Sequence, residues 1–371
     1  MGNLSASGYN SSDWNILEDT GMLRLSGIPV EERCSRFARW WEHNGIISAV
    51  VKPGYNSASG IPVEQEYLDP FSAARKRDRI VREINWTGDA VPHVPTYIGP
   101  GSLAVFLGSD PETVDGSVWF HELENTDIAS QDIVFYEDTI WWKRTERLFS
   151  TLKELNADSS YYIAFPDLAE NWDILASLIG ASDLLMKMMD NPSWVESAIE
   201  AIGRVYEEVF VRIHRMAAAA DGSMVYGPFH LFGKGTCAKV QCDGSAMFSP
   251  DMFGRFVLPE LTRQCAFLDN SMYHLDGTQC IVHLDSILGI GALDAVEWTP
   301  QAGKPGGTDP VWFSMYRKIL EAGKSLQVLV EDLSEVPSLL NEVGTEGVYL
   351  LGIDIDGAEL EAAVHRFLKT G

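Results

Sequence analysis

The most chemically loaded stretch of the chain is Ser271-Met272-Tyr273-His274-Leu275-Asp276-Gly277. It reads as a short buried strand ended by a glycine. Alternate side chains of a strand point the same way, so His274 and Asp276 share one face where the chain turns. An imidazole beside a carboxylate is an acid/base pair, the carboxylate orienting the ring. With one more acid the pair becomes a metal site that keeps an open position for catalysis. The acid at the end of the strand-like run 325–332 is Glu331, with Asp332 beside it. His274, Asp276 and Glu331 are therefore the candidate catalytic residues, and the same three are the candidate ligands of a zinc ion. The plain alternative is a set of ordinary polar strand ends, with His274 a satisfied core histidine.

A second group lies at other strand ends. Asp167 closes the run 161–165 and is followed by Asn171 and Asp173; each carboxylate there either contacts substrate or caps the next helix. Tyr226, His230 and Asp243 stand near the ends of the two runs after that. Trp298, in Glu297-Trp298-Thr299, offers a flat apolar wall to a planar ligand or simply packs. Asp167, Tyr226, His230, Asp243 and Trp298 are the candidate substrate contacts. If the substrate carries carboxylates, the basic residues to hold them are Lys234, Lys239 and Arg75.

These residues need a scaffold that brings strand ends together. From residue 270 onward the pattern alternates regularly, with strands to Asp276, Thr299, Asp332 and Gly352 and a helical pattern after each. Strand–helix alternation of this kind makes a parallel sheet. The number of units, with no Gly-x-Gly-x-x-Gly after a first strand, predicts a closed (β/α)8 TIM barrel as a single domain over 1–371. Upstream, 31–42 reads as a helix with Phe37, Trp40 and Trp41 on its apolar face, and 46–52 as a strand ended by Pro53-Gly54. Residues 1–30 read as an N-terminal arm, an irregular extension suited to contacts in a homodimer. A basic run, Arg75-Lys76-Arg77 with Arg79 and Arg82, reads as a helix face paired with nearby acids. Asn191-Pro192-Ser193 with Glu196 reads as a capping box opening a long amphipathic helix. Ser249-Pro250 opens another helix, which runs to about Leu268.

Composition excludes several classes. The formal net charge of −25 argues against nucleic acid, whose phosphates need a basic footprint, and against anionic membrane surfaces. No apolar run spans a bilayer, and the first residues do not form a secretory signal, so a cytoplasmic protein is expected. The five cysteines, without paired spacing, read as reduced thiols.

Four stretches carry a resemblance: FPDLAENWDILASLIGASDLLMKMMDNPSWV, VQCDGSAMFSPDMFGRFVLPEL, YHLDGTQCIVHLDSILGIGALDAVEW and LVEDLSEVPSLL. With residues 36–44 as an opening helix, they resemble the uroporphyrinogen decarboxylase superfamily. The most specific part is the Ser-Pro-Asp-Met-Phe helix followed by a strand bearing His274, Asp276 and Gly277. The resemblance implies a (β/α)8 barrel with its site at the C-terminal ends of the strands. The Arg-, Gln- and Gly-bearing N-terminal segment of the porphyrinogen decarboxylases is absent from this sequence. The other large branch is the cobamide-dependent methyltransferases. Its thiol-methylating members hold zinc with His-x-Cys and a later Cys. His274 matches that histidine, Asp276 stands where the first cysteine would be, and 329–331 supplies no later one. The resemblance therefore implies a methyltransferase that demethylates a methoxylated or methylated small molecule. The methyl group would pass to a corrinoid (cobamide) carried by a partner protein, with or without zinc at His274, Asp276 and Glu331. The alternatives are a decarboxylase of a porphyrinogen-like or other carboxylic acid, and a non-catalytic ligand-binding barrel.

Overall fold

A computed structural model describes residues 24–25, 28–51, 62–169 and 171–370. Most of the expected arm at 1–30, and the strand end at Pro53-Gly54, lie outside the described residues. The chain is a mixed α/β protein built on a parallel sheet. Six strands pair in it: β1 (Ile46–Val51), β2 (Cys237–Val240), β3 (Asn270–Asp276), β4 (Ala295–Thr299), β5 (Ser325–Val330) and β6 (Val348–Ile353). Their order is β2-β3-β4-β5-β6-β1, and every pairing is parallel. Parallel strands are covered on both faces and so run apolar almost throughout. Val348, Tyr349 and Leu350 of β6 are fully buried.

The connections are helical, as the alternation predicts. Phe313–Glu321 joins β4 to β5 and buries Phe313, Met315, Tyr316 and Ile319. Val336–Val343 joins β5 to β6, and Gly357–Thr370 follows β6. Val30–Trp41 precedes β1 and seats Phe37 and Trp40 edge-on against Tyr349 of β6, with ring centroids 5.4 and 5.5 Å away. Burying side chains of this size stabilises a fold by roughly 1.5–3 kcal/mol each.

Prolines account for most departures from the expected pattern. His93–Val94 and Tyr162–Ile163 form a separate parallel pair of only two residues each. Pro92 and Pro95 bracket the first and Pro166 follows the second; without an N–H, none of them can donate to a ladder. The run that carries Tyr226 makes a strand of only three residues. Met224–Tyr226 turns at Gly227-Pro228 and pairs antiparallel with Leu231–Gly233. Two isolated bridges reach towards these segments: Phe165 with Tyr226, parallel, and Ala49 with Gly88, antiparallel.

The helix expected from Ser249 to Leu268 is two helices, Pro250–Phe256 and Leu258–Phe267. Pro259 lacks the donor that would continue the first, and its ring crowds the preceding turn. Ser249 does cap the start, its hydroxyl accepting the Met252 N–H at 3.2 Å. The expected capping box at Ser193 and Glu196 does not form. Pro192 takes the first helical position of Pro192–Ala217, and Glu196 instead bonds Arg255 at 2.6 Å. The basic helix Pro70–Glu83 is paired with acids: Arg77 is buried against Glu66 at 2.7 Å, and Arg82 meets Asp78 at 2.9 Å and Asp158 at 3.0 Å. No helix among the described residues is long and apolar enough to cross a membrane.

His93 and His230 meet ring to ring in the interior, 4.7 Å between centroids. Burial pushes His93 down to about 4, and pushes His230 well below its ordinary value. The unfolded chain takes up these protons near pH 6.5, whereas the folded His93 stays neutral until about 4. Stability therefore rises with pH across this window and is lost as pH falls through it. His93 alone contributes about 3 kcal/mol to that slope. Urea midpoints should fall steadily between pH 6.5 and 4, and His93→Gln should flatten the profile. A wild-type midpoint unchanged across that range would contradict the assignment.

Candidate functional site

β3 ends at Asp276, and Gly277 takes the turn at φ 78°, a left-handed conformation that favours glycine. Alternation buries Tyr273 and Leu275 and turns His274 and Asp276 to the other face. In the parallel register His274 lies beside Glu297 of β4, and Glu297 beside Gln327 of β5. Three polar side chains therefore form one row across three strands.

Glu297 is fully buried, and its carboxylate accepts a hydrogen bond from His274 Nδ1. Its other oxygen accepts from Thr299 Oγ1 at 2.8 Å. A carboxylate on Nδ1 keeps the proton there and leaves Nε2 with the lone pair of the neutral ring. Burial pushes His274 down, but the Glu297 charge and hydrogen bond outweigh it, and the imidazole titrates above its ordinary value.

Asp243 enters the site from the turn Asp243–Met247, just beyond β2. One ligand atom each from Asp243, His274 and Asp276 lie within 4.8 Å of one another. Asp243 and Asp276 are exposed, while the His274 side chain is only 13% exposed. The trio thus has a buried back and an open front. Asp173 supports it from the helix Asn171–Ile179, accepting the N–H groups of Asp243 at 2.9 Å and Gly244 at 3.0 Å. Burial and the nearby Asp243 charge push Asp173 up to about 6. Asp276 is also raised, by burial first; His274 opposes this, and Asp243 and Glu297 add to it.

The other sequence-derived residues divide. Glu331 does not join the cluster: β5 ends at Val330, and Glu331 is exposed beyond the last ladder position. Asp243 takes the third place instead. Asp167 is buried and paired with Lys239, Oδ2 to Nζ 3.1 Å, while Lys239 also donates to Gln241 Oε1 at 2.5 Å. Trp298 forms no ligand wall. Alternation sends it away from Glu297, fully buried against Trp312 at 4.9 Å between centroids. Tyr226 is buried at its bridge to Phe165, and His230 packs on His93. Arg75 is exposed over the Phe71 ring at 5.2 Å, and Lys234 is exposed after Gly233. None of the five cysteines forms a disulfide.

Sequence reasoning singled out Glu297 only as a polar strand end and read Asp243 as a substrate contact. A signal for Glu297 was present. It stands two residues before the end of its strand, as His274 does, so parallel strands ending level put both on one row.

The features together define a mixed α/β protein with a histidine–carboxylate cluster at the C-terminal edge of a parallel sheet. No protein-family model matches the chain, and no curated protein matches it. Two carboxylates and an imidazole are donors suited to a divalent ion such as zinc, and three protein ligands leave a position open. Glu297 stands behind the histidine in the manner of a carboxylate that orients a metal-bound imidazole.

Two outcomes follow. Glu297→Gln should weaken zinc binding by about 10–100-fold, read by competition with a chromophoric chelator; unchanged affinity would remove Glu297 from the site. Lys239→Met leaves Asp167 buried without its cation and should cost about 3–5 kcal/mol in urea unfolding. Adding Asp167→Asn should restore part of that loss.

Proposed function

We propose that this chain is a corrinoid-dependent methyltransferase of the uroporphyrinogen decarboxylase-like kind. It takes a methyl group from a methoxylated or methylated small molecule and passes it to a corrinoid carried by a partner protein. The observation that carries the proposal is the convergence of Asp243, His274 and Asp276 with Glu297 behind the histidine. We also propose that the sheet closes into a (β/α)8 barrel. The parallel bridge Phe165–Tyr226 supports this. So do side chains that reach from β5 and β6 to the 229–232 turn: Gln327 Nε2 donates to Phe229 O at 3.1 Å, and Tyr349 OH to His230 O at 3.3 Å.

Demethylation is difficult because an oxygen or nitrogen that loses a methyl group leaves poorly unless it is polarised or protonated. A zinc ion held by Asp243, His274 and Asp276 would supply a Lewis acid at the open front. The protein's own groups supply the rest. Glu297 holds the His274 ring in one orientation and one tautomer. Asp173 anchors the backbone of Asp243 and Gly244, so the turn bearing Asp243 stays in place. Asp276, exposed at the rim beside His274, completes the ligand set from the end of β3. The decarboxylase alternative finds less support. Lys239, the cation whose charge reaches the cluster, is buried and committed to Asp167.

The test is metal content together with turnover. Native protein should hold about one zinc, and His274→Ala should lose it. With a Co(I) corrinoid protein, the native enzyme should demethylate members of a panel of aryl methyl ethers and methylamines. His274→Ala should be slower by roughly 10²–10⁴-fold. Decarboxylation of a porphyrinogen with no methyl transfer from the panel would overturn the proposal.

A further inference from the structure

The open front of the site has a marked charge imbalance. Asp173, Asp243, Asp276 and Glu297 bring four carboxylates to one imidazole, through the hydrogen bonds and the 4.8 Å cluster described above. A bound divalent ion would cancel only part of that charge. Lys239 does not cancel the remainder, because it is buried with Asp167 as its own counter-charge. An anionic substrate entering here would meet repulsion at close range, and a cation would meet attraction in a partly desolvated setting.

Two independent observations point the same way. Gln327 is fully buried on the row next to Glu297. Its Nε2 is used on Phe229 O, while its Oε1 has no partner among the described residues. A buried acceptor left unmet calls for a donor. Phe229, whose carbonyl takes the Gln327 amide, is half-buried and lays its ring 4.9 Å from the His274 ring. An aromatic face at this position attracts cations. Carboxylates, an orphan acceptor and an aromatic face all suit a positively charged N–H donor, and none of them suits a carboxylate ligand.

We infer, resting on the methyltransferase reading above, that the small molecule taken by this site presents a protonated, N-methylated ammonium group to the carboxylates beside His274. The substrate class is then methylated amines rather than acidic aryl ethers.

Three ligands of one branched skeleton and different charge test this: protonated 2-(dimethylamino)ethanol, neutral 3-methylbutan-1-ol and anionic 3-methylbutanoate. Binding to the full chain is measured by calorimetry at neutral pH, with and without one equivalent of zinc. The amine should bind at least tenfold more tightly than the alcohol, and the carboxylate more weakly than either. Gln327→Leu should weaken the amine several-fold and leave the alcohol unchanged, with melting curves confirming that the variant folds. Equal binding of all three ligands, or tighter binding of the carboxylate, would overturn the inference. Failure of the amine to bind while the enzyme demethylates neutral or acidic ethers would overturn it and leave the methyltransferase reading standing. Absence of zinc binding and of all methyl transfer would sink the methyltransferase reading. Charge-selective amine binding in such a protein would then mark the same cluster as an amine-binding site.

Discussion

A carboxylate with no exposure to water is the constraint around which the site is arranged. Glu297 sits in the middle of a parallel sheet, where an unpaired charge would cost several kcal/mol. The imidazole of His274 and the hydroxyl of Thr299 compensate it. That requirement fixes how β3 and β4 lie against each other. A slip of one residue would turn His274 to the opposite face and strand the Glu297 charge. The register that satisfies Glu297 also sets Asp276 at the rim, two residues beyond His274.

Other buried charges among the described residues have partners. Lys239 has Asp167, Arg77 has Glu66, and Arg33 and Lys324 donate to backbone carbonyls. Such pairs hold the interior without leaving capacity for a ligand. The front of the cluster differs. Asp243 and Asp276 are exposed, held by backbone placement rather than by a cation. Asp173 spends its own oxygens on the amides that position Asp243. The exposed carboxylates at the edge of the sheet therefore differ from the paired charges of the interior.

Much of the scaffold was legible in the residues. The runs at β3, β4, β5 and β6 alternate with helical patterns, and Ser249 caps its helix as its type and position suggest. The misreadings were local. Pro259 splits a helix that hydrophobic spacing alone would continue. The strand in the apolar run 161–165 stops at Ile163, shortly before Pro166. Pro192 takes the position that a capping box at Ser193 would need, and Glu196 finds Arg255, a partner distant in sequence.

The site was half legible, and the division has a physical cause. Strand periodicity acts over two residues, so the sequence by itself determined that His274 and Asp276 share a face and that both stand at a strand end. It also determined that the chain is acidic and builds a parallel sheet with helical crossovers. Which third acid joins them depends on where each strand leaves the sheet and which strands are neighbours, and no local pattern encodes either. Only the tertiary structure decided for Asp243 over Glu331, because the turn after β2 delivers its carboxylate beside β3 while β5 ends one residue before Glu331. It likewise decided that Trp298 packs in the core and that Glu297 stands behind His274. Those roles arise from lateral register between strands, an interaction that exists only once the strands have met.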